Sequence, residues 1–145
     1  MRRAVLLLSC ALVAACGSSG SHRLTREEYA QRADAICARY QHLTTALAAP
    51  GTTRQLAVVA GKTLSLLDKA QAELARLRPP LMEQRLASRW VASIAVLRRD
   101  VVELRDRASA NDLLGVRRVV RPATRHNRQS DRLASRLGMS VCSTG

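Results

Sequence analysis

Phenylalanine is absent from this chain of 145 residues, and Trp90, Tyr29 and Tyr40 are its only aromatics. A core must therefore be built from Leu, Val, Ile and Ala, and single-stranded nucleic acid would find no stacking platform. Lysine is nearly absent as well: Lys62 and Lys69 leave arginine to supply 22 of the 24 basic side chains. With 11 acids against them the formal charge is +13. GC-rich codon usage produces the same bias, so arginine numbers alone argue little. Alternating strand patterns are missing, and no GxSxG, HExxH or glycine-rich phosphate loop occurs. His22, His42 and His126 stand alone, with no Asp, Glu or Cys at ligand spacing, and read as surface histidines. These absences exclude the familiar routes to catalysis, and the expectation is a protein that is not an enzyme, with no metal and no cofactor.

What is present begins with Arg2 and Arg3, followed by an apolar run from Ala4 to Ala15 broken by Ser9. That is signal-peptide length, too short for a comfortable membrane span. The run ends in Leu12-Val13-Ala14-Ala15-Cys16, which resembles a bacterial lipobox. The resemblance implies removal of residues 1–15, lipid attachment at Cys16 (palmitate among the acyl chains) and anchoring on the extracytoplasmic face of the membrane. The alternative is a plain secreted protein cut near Ala15, with Cys16 left as a stray thiol. Removing residues 1–15 takes away Arg2 and Arg3 and no acid, which lowers the charge from +13 to +11 over 130 residues. That length suits one domain. Residues 16–24 read as a lipidated tether and residues 25–145 as the domain. Its Gly- and Ser-rich spacer, Gly17 to Arg23, would span about 15 Å as a random coil.

Cys10 lies in the discarded segment and Cys16 carries lipid on this reading, so Cys37 and Cys142 remain. In an oxidising compartment one disulfide is expected. It would close a loop of about a hundred residues, for which the chain-entropy model gives roughly 4–5 kcal/mol. Two buried, unpaired cysteines are the alternative. Neither belongs to a CxxC pair, which removes support for structural zinc and thioredoxin-type chemistry.

Helical periodicity organises the rest. Thr25 and Glu28 form a capping box, with Leu24 and Tyr29 at staple positions. Tyr29, Ala33, Ile36, Cys37, Tyr40, Leu43 and Leu47 then share one helical face, ended by Pro50-Gly51. Thr52 or Thr53 caps a second helix whose stripe is Leu56, Val59, Ala60, Thr63, Leu67, Ala70, Leu74 and Leu77, stopped by Pro79-Pro80. A third carries Leu86, Trp90, Ile94, Leu97, Val101, Leu104 and Ala108, with Trp90 read as packing. Asn111 or Asp112 opens a fourth, with Val116, Val119, Val120, Ala123, Leu133, Ala134 and Leu137 inward. Pro122 predicts either a kink there or two shorter helices. Gly138 supplies a left-handed residue at its end, with Met139 packing back. Four such segments joined by short breaks predict an all-α, antiparallel, up-down four-helix bundle. First and last helices are neighbours in that topology, so a returning tail can bring Cys142 to Cys37.

The stretch from Tyr29 to Cys37, containing Ala33-Asp34-Ala35-Ile36-Cys37, together with Pro79-Pro80 and the ending from Leu137 to Cys142, is similar to a group of helical lipoproteins and secreted proteins of high-GC Gram-positive bacteria. That group pairs an "ADAIC" first helix with a C-terminal "LGLxxC". Met139 stands here where the group has leucine. The resemblance implies a helical domain with a Cys37–Cys142 bridge, and brings no activity and no catalytic residues. Asp34, beside the inward stripe, is expected to make a salt bridge or hydrogen bond to a neighbouring helix.

At 100° per residue, Arg117, Arg118, Arg121, Arg125, Arg128, Arg132 and Arg136 fall within an arc of about 100°, opposite the apolar positions. Asp112 and Asp131 are the acids available along that helix, whereas Glu103 on the third has Arg99 and Arg107 four residues to either side. The arginine row reads either as a solvated outer face or as a surface for anionic lipid, an anionic wall polymer or another envelope protein. Nucleic acid is excluded by the export signal and the missing aromatics. Two functional classes follow: a non-catalytic interaction module, and a small-molecule carrier binding a ligand between helices. A carrier requires an apolar cavity of several hundred Å³. The abundance of alanine predicts close packing instead and favours the module.

Overall fold

The computed structural model describes residues 23–144. The expected signal segment 1–15, Cys16 and the spacer up to residue 22 lie outside the described residues. Four helices follow in chain order: α1 (Arg26–Thr45), α2 (Thr53–Arg76), α3 (Gln84–Ser109) and α4 (Leu113–Arg136), with a 3₁₀ turn at Leu81–Glu83 leading into α3. They form the antiparallel up-down bundle that the periodicity predicts. Among the described residues there is no strand, and no helix is long and apolar enough to cross a membrane.

Helices α1, α2 and α4 start where a side chain satisfies their orphan amides, whereas α3 continues directly from the 3₁₀ turn without a side-chain cap. At α1 the capping box is complete: Thr25 Oγ1 accepts from the Glu28 amide at 3.2 Å, and Glu28 Oε2 accepts from the Thr25 amide at 2.9 Å. Thr52, rather than Thr53, caps α2 through the Gln55 amide, and Asp112, rather than Asn111, caps α4 through the Gly115 amide at 2.7 Å. Asn111 instead supplies the left-handed residue of the α3–α4 turn, at φ 56°. Gly138, at φ 83°, ends α4 in a Schellman motif: the Met139 amide donates to the Ala134 carbonyl and the Gly138 amide to the Ser135 carbonyl. Met139 is buried behind it.

Helix α4 is not split at Pro122; it runs unbroken from Leu113 to Arg136. The carbonyl deprived of a donor by proline belongs to Arg118, four residues back on the exposed side of the helix.

The core is densest at the end of the bundle where α1 begins. Tyr29, Ala30, Ala33, Leu74, Trp90 and Leu133 are buried together with Ala134, Leu137 and Met139. Alanine permits the close approach expected of it here: Ala33 and Ala134 are both fully buried, and Trp90, 2% exposed, is core packing. Burial pushes the Tyr29 hydroxyl up to about 12. Among the described residues, every buried side chain and both bridging cysteines lie between Leu24 and Cys142. A chain beginning at Arg23 thus holds the whole described core.

Cys37 and Cys142 are bonded, with Cα atoms 5.4 Å apart across 105 residues of sequence. Asp34, one turn before Cys37, binds the returning tail and not a neighbouring helix. Its Oδ2 accepts from the Ser140 amide at 2.8 Å and the Ser140 hydroxyl at 3.0 Å; its Oδ1 accepts from the amides of Val141 at 3.0 Å and Cys142 at 2.9 Å.

Helix α3 lies in close backbone contact with both α2 and α4, and α1 packs on α2. Towards α4, α1 is linked by side chains and the tail, as where Arg26 Nη2 donates to the Arg136 carbonyl at 2.7 Å. Beyond the tail α1 loses that support. Leu43, predicted inward, is 41% exposed, and Val120 on α4 is 52% exposed for want of a facing helix.

Candidate functional site

Helix α4 presents three faces. Its buried stripe runs through Val119, Ser130, Leu133 and Ala134. Arg117, Arg118, Arg121, Arg125, Arg128, Arg132 and Arg136 are all exposed on another side. Among the described residues, Arg26, Arg39, Arg98, Arg105 and Arg107 are in ion pairs, and none of the seven arginines of α4 is. Asp112 senses Arg107 and Arg118, but its carboxyl is held below the usual aspartate range first by the Gly115 amide. From Arg117 to Arg136 the row extends about 28 Å at 1.5 Å per residue. Its Arg136 end adjoins Arg26, at the start of α1, so the chain enters the bundle beside one end of the basic row.

Between these two faces, at 100° per residue, lie Val120, Thr124, Asn127 and Asp131. They form one wall of an open cleft of about 680 Å³. Its aliphatic lining comes from Leu67 on α2, Leu97, Val101 and Leu104 on α3, and Val119, Val120 and Ala123 on α4. The cleft joins an inner pocket of about 290 Å³ that reaches Tyr40, Gln41 and Thr44 on α1. Thr63, Leu67, Leu97, Asn127 and Asp131 belong to both and mark the throat between them. Close alanine packing thus holds at one end of the bundle and gives way at the other, where α1 stands apart from α4.

Polar groups are set along both cavities, with Asp100, Thr124 and Arg128 on the outer cleft and Asn127 and Asp131 in the throat. Asn127 Nδ2 donates to Asp131 Oδ2 at 3.2 Å. Burial holds the Asp131 carboxyl above the usual aspartate range, with Arg132 partly opposing the shift. Among the described residues Asp131 makes no ion pair. Asp100, on the outer cleft wall, is 2.8 Å from His126 Nδ1. On α1, Gln41 Nε2 donates to the Val141 carbonyl at 3.2 Å, which leaves its Oε1 as an acceptor. Tyr40 donates to Glu73 at 2.7 Å, and that bond holds the Tyr40 hydroxyl above its ordinary pKa and the Glu73 carboxyl below its own.

The structure therefore gathers the seven arginines onto one exposed face and joins Cys37 to Cys142, while Cys16 lies outside the described residues. It also reveals two features that local spacing does not announce, the Asp100–His126 pair and the Asp131 throat. The four-residue spacing of Asn127 and Asp131 is a local trace of the second alone. Among the described residues no three His, Cys, Asp or Glu side chains cluster as metal ligands would. No protein-family model matches the chain, and neither a curated protein sequence nor a solved structure does.

Proposed function

We propose that this protein is a non-catalytic lipoprotein, anchored through Cys16 on the extracytoplasmic face of the membrane, whose α4 arginine face docks on anionic lipid. The observation that carries this reading is the row of seven exposed arginines, outside any ion pair among the described residues, with one end beside Arg26. A spacer spanning about 15 Å would hold that end near the headgroups. Each basic side chain there contributes about 1 kcal/mol, decaying over a Debye length of about 8 Å. The row lies along the bundle axis, so docking lays the bundle flat. The lipobox resemblance and the likeness to helical lipoproteins of high-GC Gram-positive bacteria supply the compartment.

The test is sedimentation of the oxidised chain from Arg23 onward with acidic and neutral liposomes. Salt-sensitive binding to acidic vesicles alone, lost when Arg121, Arg125, Arg128 and Arg132 are all changed to Gln, is the expected result. Absence of binding at low salt, or its survival in that variant, overturns the reading. Binding to an anionic wall polymer but not to lipid would transfer the face to that partner. Intact mass of protein from native membranes tests the anchor, which fails if Cys16 carries no acyl mass.

The second reading is a small-molecule carrier. Supporting it is the cleft of about 680 Å³ with its aliphatic lining, which has the size and character of a ligand site.

A further inference from the structure

The outer cleft and the inner pocket are both lined mainly by apolar side chains, and the few polar groups set among them select a ligand. Over α3 the walls are aliphatic, from Leu97 through Val101 to Leu104. At the throat and inward they carry oxygen acceptors, Asp131 above all, with Gln41 beyond. Charges elsewhere around the cleft are already answered. Asp100 faces His126, and Arg128 sits exposed at the rim, where water screens it. Asp131 is the half-buried acid of the throat that makes no ion pair among the described residues, Arg132 only partly offsetting its charge. Charge on a partly desolvated carboxylate is costly, and an ammonium group brought in by a ligand offsets that cost. On α4 the distance from Asp131 to Val119 is about 18 Å at 1.5 Å per residue, room for an extended alkyl chain.

We propose that the joined cleft binds a long-chain primary amine, with its ammonium group at Asp131 in the throat and its alkyl chain lying over Leu97, Val101 and Leu104. This rests on the carrier reading and adds the ligand class to it. The three donors of the ammonium match the acceptors of the throat, and the chain covers apolar surface that the bundle leaves open. A long-chain carboxylate would place its charge against Asp131.

Trp90 lines the inner pocket and is the only tryptophan of the chain, so its fluorescence reports occupancy without a label. The experiment titrates the oxidised chain from Arg23 onward with dodecylamine, dodecanol and dodecanoate, each below its critical micelle concentration. Dodecylamine is expected to bind at least tenfold more tightly than either of the others. Asp131→Asn should abolish that preference, bringing dodecylamine binding to the level of dodecanol in the same variant. Ala123→Phe, which fills the outer cleft, should abolish binding of all three, with circular dichroism confirming that both variants are folded. Equal binding of amine and alcohol, or a preference that survives Asp131→Asn, overturns the amine assignment and spares the carrier reading. Absence of binding by any of the three, or undiminished binding by Ala123→Phe, overturns both.

Discussion

Asp34 Oδ1 accepts the Cys142 amide at 2.9 Å, one helical turn before Cys37, the residue to which Cys142 is covalently joined. The carboxylate and the disulfide thus hold the same short piece of tail from adjacent positions on α1. The hydrogen bonds orient the backbone, and the sulfur bridge fixes its distance.

Asp34→Ala removes the acceptor for three tail amides and one hydroxyl. Hydrogen bonds to a charged group are worth about 1.5–3 kcal/mol, and leaving amides unpaired adds cost. A loss of about 2–3 kcal/mol is expected in urea unfolding of the oxidised protein. Asp34→Asn should fall nearly as far, because its amide nitrogen cannot accept from the tail.

Replacing both Cys37 and Cys142 by Ser reopens a loop spanning 105 residues of sequence. The chain-entropy model sets the loss at roughly 4–5 kcal/mol. Urea midpoints of the double variant and the oxidised parent measure it. The loss should fall short of the sum with Asp34→Ala when all three changes are combined, since both devices hold one tail.

Gly115 has a different vulnerability. A Cβ added there would lie 2.1 Å from Asp112 Oδ2 and 2.6 Å from Arg107 Cδ. Gly115→Ala therefore displaces the capping carboxylate from its own amide partner, a loss of about 1–2 kcal/mol. Asp112→Ala should cost about the same, and the two together little more than either, as thermal unfolding would reveal.

Asp131 gives a pH signature. Its folded-state carboxyl titrates above the usual aspartate range because burial disfavours the charge. The folded state therefore favours the protonated form, and stability is lost as pH rises from the unfolded pKa through the folded one. Asp131→Asn should be more stable than the parent at pH 7, with the advantage vanishing below the ordinary aspartate pKa of about 3.9. Urea midpoints at pH 7 and pH 3 decide it; an advantage that persists at pH 3 would locate its source elsewhere.

The sequence made the helices legible because each boundary carries its own chemistry within a few residues. Thr25 with Glu28, and Gly138 with Met139, perform the roles their spacing suggests. The Cys37–Cys142 bridge was also within reach, through cysteine arithmetic and family resemblance. Periodicity gives a side chain's direction but not what stands opposite it, and so Val119 is buried while its neighbour Val120 is exposed. Asp34 was visible as a partly buried acid, yet its partners lie 106 to 108 residues away and share no local pattern with it. The cleft was hidden for a related reason: it arises from the separation of α1 and α4, and no stretch of sequence encodes that gap.

The Cys37–Cys142 bond has a mechanical consequence. It closes a covalent ring that contains the whole of α2, α3 and α4. A pull applied between the N-terminal segment and the residues beyond Cys142 travels along α1 to Cys37 and leaves through the sulfur atoms, so the other three helices bear no tension. By the same closure, a single peptide-bond cut anywhere in the ring, such as beside the exposed Met82, releases no fragment.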